Sequence, residues 1–326
     1  MKDVRIKFHQ KIALLPSYSS ILIAVSGGQD SLCLAHLLKT FQTKYHWQLA
    51  VAHCDHKWRS DSTENAHHVA KFAQDLDLPF YCRTALNPPR SEATAREWRY
   101  QMLIEMAEEA GASIIATGHT LTDRAETILF NFLRGAGLEG LQSLTWERLL
   151  REGIKLVRPL LGISRGETLA YCNFYRLPIW EDSTNTDSKY KRNRLRHEVF
   201  PYLQQHFNPQ LETTLAHTAE ILADDVQFWQ SYIDNLWQKH QLSSHLPKID
   251  RTVLQSYSRS VQRRIVRKFL QLYIPEELGF DHIEKVVKLI HSPNRSQCDP
   301  LPGKAIVVVE HPWLCLQFAT ISEKSS

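Results

Sequence analysis

The segment of the chain best equipped for chemistry is a short run rich in glycine and hydroxyl side chains: Ser26, Gly27, Gly28, Gln29, Asp30 and Ser31. The two glycines permit positive φ and a close approach to a ligand. Backbone N–H groups at the start of a helix form an anion cradle, to which Ser26 and Ser31 add hydroxyl donors. Asp30 would repel a phosphate unless a cation lay between them, so the run predicts a nucleotide phosphate site with Mg²⁺ held by Asp30.

The alternative is a tight turn that uses glycine for its geometry and Ser or Asp as helix caps. The complete run directly after the apolar stretch Ile21–Val25 favours the phosphate site. The chain has no Gly-x4-Gly-Lys-Ser/Thr run, which disfavours a Walker-type kinase or GTPase. No Gly-x-Gly-x-x-Gly run follows the strand either, which disfavours a dinucleotide fold.

The elements that would position this loop alternate between short apolar runs and longer amphipathic ones. The predicted strands are Ile21–Val25, Leu49–His53, Pro79–Thr84 and Ile114–Thr117, and the predicted helices are Ser31–Phe41, Thr63–Leu76, Ala93–Ala110 and Thr122–Leu133. This alternation is typical of βαβ units and predicts an α/β fold with a parallel, doubly wound sheet. Ligands of such sheets bind beyond the carboxyl ends of the strands. Three polar segments should therefore meet at one edge: Ser26–Ser31, His53–Arg59 and Gly118–Thr127.

Beyond about residue 207 the pattern becomes mainly helical. Helices are predicted over Asn208–Gln241, Arg251–Leu272 and Asp281–His291, with one short strand, Ala305–Glu310. We therefore predict a first domain over residues 1–207 and a mainly helical second domain over residues 208–326.

Composition narrows the class of protein. The chain has 326 residues, 43% of them hydrophobic, and Lys and Arg outnumber Asp and Glu by only 39 to 35. No apolar stretch approaches the length that crosses a bilayer, and the N-terminus lacks a secretory signal. The six cysteines are far apart and form no Cys-x-x-Cys pair, so we expect reduced thiols, a cytoplasmic location and no membrane contact.

Several strings, in chain order, resemble one protein family. Ser-Gly-Gly-Gln-Asp-Ser resembles the pyrophosphate loop of the N-type ATP pyrophosphatases, the PP-loop superfamily. The strings that follow resemble its tRNA(Ile)-lysidine synthetase family: His53-Cys-Asp-His-Lys-Trp-Arg59, Ala95-Arg-Glu-Trp-Arg-Tyr100, Gly118-His-Thr-Leu-Thr-Asp-Arg-Ala-Glu-Thr127, Arg134–Leu141, Arg158–Leu161, Asp182–Asn185 and Arg192–Arg196. The likeness runs from about residue 20 to residue 205 and is looser in the C-terminal part. It implies that residues 1–207 are the catalytic domain and that residues 208–326 are a mainly helical tRNA- or substrate-binding domain.

The resemblance implies a two-step reaction with ATP and Mg²⁺. The carbonyl oxygen on carbon 2 of the wobble cytidine in an isoleucine tRNA with a CAU anticodon attacks the α-phosphate and expels pyrophosphate. The ε-amine of free L-lysine then displaces AMP. Thr120 and Thr122 depart from the family pattern, in which many relatives carry His and Asp at these places. We also expect the chain to lack the extra C-terminal module of longer family members.

Asp123 and Glu126 lie three residues apart on a predicted helix and so share a face. They are candidate catalytic residues that could bind the lysine ammonium, help to hold the metal or accept a proton. The alternative is that Asp123 caps the helix and Glu126 pairs with Arg124 or another surface cation. Arg196, the third catalytic candidate beside Asp30, could reach back over the phosphates and stabilise their charge.

The remaining site predictions concern ligand contacts. His53 and Asp55 are predicted to contact ATP, and the predicted substrate or tRNA contacts are Arg96, Arg99, His119, Arg192 and Arg194. The alternative for the cationic residues is a solvated surface with salt bridges. A zinc site at His53, Asp55 and His56 is disfavoured by its spacing.

Three other functions stay open at this point. A tRNA thiolase of the same superfamily would share the adenylation step but would transfer sulfur. A non-catalytic tRNA-binding protein would retain only a decayed nucleotide domain, and a small-molecule amidating synthetase would need a glutaminase that the sequence does not show. The residues do not fix the oligomeric state, and a homodimer is kept as an expectation.

Overall fold

The computed structural model describes residues 2–58, 61–89, 91–180, 191–242 and 246–318. These residues form two compact units that divide between Asp224 and Asp225. This division lies inside one long helix, and the functional boundary after residue 207 stays a prediction. Two parts of the predicted motifs fall outside the described residues: Arg59 and the Asp182–Asn185 string.

The first unit contains a six-stranded sheet, and the predicted α/β fold is confirmed. Its strands are β1 (Ser20–Ala24), β2 (Gln48–Asp55), β3 (Phe80–Thr84), β4 (Ile114–Thr117), β5 (Glu147–Arg151) and β6 (Ile154–Val157). The spatial order is β3-β2-β1-β4-β6-β5. Every neighbouring pair is parallel except β5 and β6, which form an antiparallel hairpin at one edge. The order reverses between β1 and β4, which is where such sheets bind ligands.

Helices cover both faces of this sheet. The helices of the first unit are α1 (Lys2–Gln10), α2 (Gln29–Tyr45), α3 (Ser62–Asp75), α4 (Glu92–Glu109), α5 (Leu121–Leu133), α6 (Leu138–Leu141), α7 (Arg165–Tyr175), α8 (Lys191–Arg194), α9 (Phe200–His206) and the first turns of α10 (Leu211–Lys239). Ile21 and Ile23 of β1 pack in one core with α1, α2, α3 and α7. Leu22, which points the opposite way, packs in a second core with α4.

Local sequence explains where the site-bearing helices start. In α5 the side chain of Thr120 accepts a hydrogen bond from the backbone of Asp123, and the Asp123 carboxylate accepts one from the backbone of Thr120. In α7, Ser164 and Glu167 form the same reciprocal cap. Such capping boxes satisfy N–H groups that would otherwise lack partners at the first turn. They fix the two helix starts that face the loop after β1.

The second unit has helices and a small antiparallel sheet. Its remaining elements are β7 (Lys248–Asp250), α11 (Arg251–Gln255), α12 (Arg259–Gln271), α13 (Phe280–Leu289), β8 (Ala305–Glu310) and β9 (Trp313–Phe318). The predicted strand Ala305–Glu310 is confirmed as β8, and β7 and β9 join it in the order β7-β9-β8. The prediction of one helix over Arg251–Leu272 is wrong, because Ser258 takes an extended conformation and starts a separate helix. None of the described helices is both long and apolar enough to cross a bilayer.

Candidate active site

A cavity of about 720 Å³ opens at the carboxyl ends of β1, β2 and β4. It is lined by residues of all three predicted polar segments, including Ser26, Asp30, His53, Asp55 and His119. The parallel strands place these segments together because their carboxyl ends meet at one edge of the sheet. The predicted meeting of the three segments is therefore observed.

The loop after β1 needs glycine at one position in particular. Gly27 has φ 91°, and a Cβ atom there would lie 2.5 Å from Oδ1 of Asn65. The Nδ2 group of Asn65 donates to the carbonyl of Ser26 at 3.1 Å, and the backbone N–H of Trp180 donates to the carbonyl of Gly27 at 3.0 Å. Gly28, by contrast, has φ −74°, so the expected positive φ is used by Gly27 alone.

The two serine hydroxyls brace the loop. The Ser31 hydroxyl donates to the carbonyl of Gly28 at 2.8 Å and accepts from the backbone N–H of Ser26 at 3.2 Å. Gly118, at the end of β4, approaches the same turn so closely that a Cβ atom would lie 2.8 Å from the carbonyl oxygen of Asp30. Any larger residue at Gly118 would therefore push β4 away from the start of α2.

Asp30 is a largely buried carboxylate in the first turn of α2. Its Oδ1 accepts a hydrogen bond from the Thr168 hydroxyl, and its Oδ2 lies 3.8 Å from Nε of Arg165. Burial raises the pKa of Asp30 to about 6, with a further rise from the charge of Asp123, while Thr168, Arg165 and Gln29 lower it. The raised pKa shows that the nearby donors only partly neutralise this charge.

Helix α7 supplies contacts to the loop that the sequence did not reveal. The side-chain amide of Gln29 donates to the carbonyl of Arg165 at 2.7 Å and to the hydroxyl of Thr168 at 3.1 Å. The side chain of Gln29, predicted to bind nucleotide, thus holds α7 in place. The side chain of Arg165 is 34% exposed and lines the cavity, so it is a cation next to the phosphate loop.

Thr122, a departure from the family pattern, has a structural role. Its hydroxyl accepts from the backbone N–H of Arg165 at 3.0 Å and donates to the Glu212 carboxylate at 3.2 Å. It therefore joins the start of α7 to α5 and to the first turn of α10. The sequence signal that could have found this helix is the cap Ser164-x-x-Glu167, although that signal says nothing of which residues it contacts.

Asp123 and Glu126 lie on one face of α5, as predicted, and both contact Arg196. Nε and Nη2 of Arg196 each donate to Glu126 at 2.6 Å, and Nη2 lies 3.3 Å from Oδ1 of Asp123. Burial tends to raise the pKa of Asp123, but hydrogen bonds from Thr120 and the charge of Arg196 help to lower it. Asp123 both caps α5 and pairs with Arg196, so part of the structural alternative is also observed.

The cluster of His53, Asp55 and His56 at the end of β2 is only partly directed at the cavity. Nδ1 of the buried His53 donates to the carbonyl of Val25 at 2.8 Å, and Oδ1 of Asp55 accepts from the backbone N–H of Lys57 at 2.8 Å. Burial lowers the pKa of His56 to about 4. Burial likewise lowers the pKa of His119, so both imidazoles are neutral at pH 7 and can accept hydrogen bonds from a ligand.

The predicted tRNA-contacting arginines lie in different places. Arg99 lines the cavity, and Arg96 lies on the same helix with its guanidinium 5.6 Å from the centre of the Tyr100 ring. Arg192 donates to the Thr127 hydroxyl at 3.0 Å. Arg194 is exposed and pairs with Glu198. Arg196, Arg192 and Arg194 are not among the residues that line the cavity.

Whether the site suits a divalent cation depends on Asp30. In the part of the chain that the structure describes, no group of three or more His, Cys, Asp or Glu side chains could hold a metal ion by itself. Mg²⁺ in nucleotide sites is held by one or two carboxylates together with phosphate oxygens and water. A single, incompletely neutralised carboxylate beside a phosphate loop fits that mode of binding.

Comparisons with known proteins agree with this geometry. Residues 2–203 match the model of a family described as the PP-loop domain. A tRNA(Ile)-lysidine synthase from Nostoc sp. is 50% identical over 310 residues, which cover 91% of each chain. One from Gloeobacter violaceus is 44% identical over 314 residues, which cover 96% of each chain.

A solved structure also shares the fold. It is a U34-tRNA thiolase from Methanococcus maripaludis with its 4Fe-4S cluster, with a TM-score of 0.59 and 17% identity over 68% of this chain and 78% of that chain. At this identity the likeness shows the fold alone. The matched domain and the sequence relatives agree with the polar segments around one cavity. The chain therefore belongs to the tRNA(Ile)-lysidine synthase family.

Proposed function

We propose that ATP binds in the cavity with its β- and γ-phosphates at the Ser26–Ser31 loop and that Asp30 holds the accompanying Mg²⁺. The observation that carries this proposal is the state of Asp30, which is a buried carboxylate with a raised pKa at a helix start where an anion is expected. A cation would relieve the cost of that charge and would let a phosphate approach. Bound there, Mg²⁺ would neutralise charge on the pyrophosphate that leaves.

As a member of this family, the chain is an ATP-dependent ligase, a tRNA(Ile)-lysidine synthase. In the first step, the oxygen on carbon 2 of the wobble cytidine forms a bond to the α-phosphorus, and the bond to pyrophosphate breaks. In the second step, the ε-amine of L-lysine bonds to carbon 2, and AMP leaves with that oxygen. The amine loses a proton, and the product is lysidine in the CAU anticodon of isoleucine tRNA.

Arg165 is suited to counter the charge of the phosphates. The loop itself contains no Lys or Arg, whereas the guanidinium of Arg165 lies beside Asp30 and is open to the cavity. Guanidinium groups form charge-assisted hydrogen bonds with phosphate oxygens. The proposal therefore adds Arg165 to the ATP-binding residues predicted from the sequence.

Of the two carboxylates on α5, Asp123 is the better placed to take the ammonium group of lysine. Glu126 is only 2% exposed and is held by Arg196 through two short hydrogen bonds. Asp123 is 17% exposed, and its Oδ1 lies at the longer distance of 3.3 Å from the same guanidinium. Because free lysine is protonated at pH 7, with a pKa of about 10.4, a carboxylate near the reaction centre can both bind it and accept its proton.

The test is incorporation of labelled lysine. The protein is incubated with labelled L-lysine, ATP and unmodified transcripts of isoleucine and methionine tRNAs that both carry a CAU anticodon. We expect label in the isoleucine transcript alone, with equal amounts of AMP and pyrophosphate released. Label in neither transcript, with ATP and both RNAs intact, would contradict the proposal.

The thiolase alternative is tested with cysteine variants. All six cysteines are free thiols, and Cys33 and Cys172 are fully buried. A variant with every cysteine replaced by Ala or Ser should retain lysine incorporation if it folds, because no step of the proposed reaction uses sulfur. The proposal also includes a cytoplasmic location and a homodimer, and sedimentation of the purified chain tests the latter.

A further inference from the structure

Three arginines from three different elements surround one aromatic ring beside the cavity. The guanidinium carbon of Arg148, on the edge strand β5, lies 4.9 Å from the centre of the Tyr100 ring. That of Arg96, on α4, lies 5.6 Å from the same centre. Arg158, after β6, is 2% exposed and donates from Nη1 to the carbonyl of Thr145 at 2.6 Å. Tyr100 itself lines the cavity.

We call this group the Tyr100 arginine cluster (Arg96, Arg148 and Arg158). Carboxylates of the described residues do not balance its positive charge. Within the described residues none of the three forms an ion pair, and Nε of Arg158 is buried without a hydrogen-bond partner. One acidic side chain on β5 and one on α4 pair with other cations. Glu147 pairs with Lys155 at 3.1 Å, and Glu108 pairs with Arg151 at 2.5 Å.

The pKa shifts of Arg158 and Tyr100 also indicate unbalanced positive charge. Burial lowers the pKa of Arg158, and the charges of Arg148 and Arg96 lower it further, while Tyr100 opposes the change. Burial would raise the pKa of Tyr100, but the three arginines lower it overall. Like charges gathered around a phenol cost free energy that an anion between them would recover.

We propose that the Tyr100 arginine cluster binds a phosphate of the RNA backbone next to the nucleotide that enters the cavity. Guanidinium groups recognise phosphate through two parallel hydrogen bonds, which suits Arg148 and Arg96 because both are exposed. The aromatic ring holds their guanidinium planes in place. The cluster borders the cavity proposed for ATP, and the inference rests on that proposed function.

Strand β5 offers a matched control. Arg148 and Arg151 are both exposed and lie three residues apart on the same strand, but only Arg151 has a carboxylate partner. Arg148→Ala should therefore weaken binding of the isoleucine transcript about fivefold or more, and should reduce the slope of log affinity against log salt by about 0.9. Arg151→Ala should change the affinity less than about twofold.

The measurement is fluorescence anisotropy of labelled transcript with full-length protein, over about 50 to 300 mM salt. ATP affinity is measured for the same proteins, and thermal unfolding checks that they fold. Loss of RNA affinity and salt slope in Arg148→Ala alone, with ATP affinity unchanged, supports the inference. Loss of ATP affinity instead would assign the cluster to the nucleotide and overturn it, as would equal effects of Arg148→Ala and Arg151→Ala on RNA binding. Failure of the wild-type protein to bind the transcript would instead contradict the proposed function.

Discussion

Two acidic sites in the same unit differ in how their charge is balanced. Asp123 and Glu126 on α5 share the guanidinium of Arg196, which makes two 2.6 Å hydrogen bonds to Glu126 and lowers the pKa of Asp123. Among the described residues, the partners of Asp30 on α2 are a hydroxyl, an amide and a guanidinium 3.8 Å away, and burial raises its pKa to about 6. At the first site Glu126 is paired within the protein, whereas Asp30 at the second site fits a cation from outside.

This difference separates the structural charge of Glu126 from the functional charge of Asp30. A buried pair such as Glu126 and Arg196 is costly to break because the remaining charge has no partner. A buried carboxylate with a raised pKa costs stability in the free protein and is retained where a ligand uses it. Removing each group should therefore have opposite effects on folding, and only removal of Asp30 should act through the nucleotide.

The largest expected effect is on catalysis. Asp30→Asn should lower tRNA- and lysine-dependent pyrophosphate release about 100- to 1,000-fold, because it removes the charge that would hold the cation of ATP. Binding of the transcript, measured by anisotropy, should change less than about twofold, within the range of distant surface changes. Asp75→Asn, at an exposed position at the end of α3, is the control and should retain activity. Full activity of Asp30→Asn would remove the proposed role of Asp30.

The second largest effect is expected on the free energy of unfolding, at the pair of Glu126 and Arg196. Arg196→Ala should lower the free energy of unfolding by about 2–3 kcal/mol, because Glu126 would keep a buried charge without its partner. Urea denaturation followed by circular dichroism measures the change. Arg194→Ala is the control, since Arg194 is 62% exposed and pairs with Glu198 at 3.8 Å, and it should cost less than about 0.5 kcal/mol. Equal losses in the two variants would show that the Arg196 pair adds nothing beyond a surface contact.

Asp30→Asn should raise the free energy of unfolding, which is the opposite of the effect of Arg196→Ala. The pKa of this carboxyl is about 6 in the folded chain against an ordinary value of 3.8, so its ionisation is penalised by folding. The penalty is absent below about pH 4 and fully present above about pH 6, and wild-type stability should fall across that interval. At pH 8 the variant should be more stable by about 1–3 kcal/mol. Urea titrations at pH 4 and pH 8 measure this, and a variant that is less stable at pH 8 would contradict it.

A smaller effect is expected at Arg165. Arg165→Ala should weaken ATP binding about tenfold through loss of a charge-assisted contact with phosphate, and Arg165→Lys should recover part of it. Equilibrium dialysis with labelled ATP measures both affinities. Arg176→Ala, at the exposed end of the same helix, is the matched control. If Arg165→Ala bound ATP as tightly as the control, Arg165 would serve only to position Asp30.

The sequence was sufficient to predict the features that depend on residues close together in the chain. The strands β1, β2 and β4 are short apolar runs that end in polar segments, and this pattern was enough to place Asp30, His53 and His119 at one cavity. It missed the hairpin of β5 and β6, since Glu147–Val157 mixes charged and apolar residues around a turn. It also missed the break before α12, although Ser258 is a typical N-cap residue.

Contacts between distant parts of the chain could not be predicted from one sequence. Thr168 lies 138 residues from Asp30 and Arg196 lies 70 from Glu126, and no local pattern relates them. The Tyr100 arginine cluster is of the same kind, because α4, β5 and the segment after β6 meet only in the folded sheet. The charge state of Asp30 follows from these packing contacts and was therefore visible only in the structure.

Proton release on binding of Mg²⁺ and ATP tests the central claim most directly. Calorimetry at about pH 6, in buffers of different ionisation enthalpy, gives the number of protons released by wild type and by Asp30→Asn. Because Asp30 is about half protonated at that pH and must ionise to hold a cation, wild type should release about half a proton more than the variant. The difference should vanish at pH 8. Equal proton release by the two proteins at pH 6 would contradict a cation bound by Asp30.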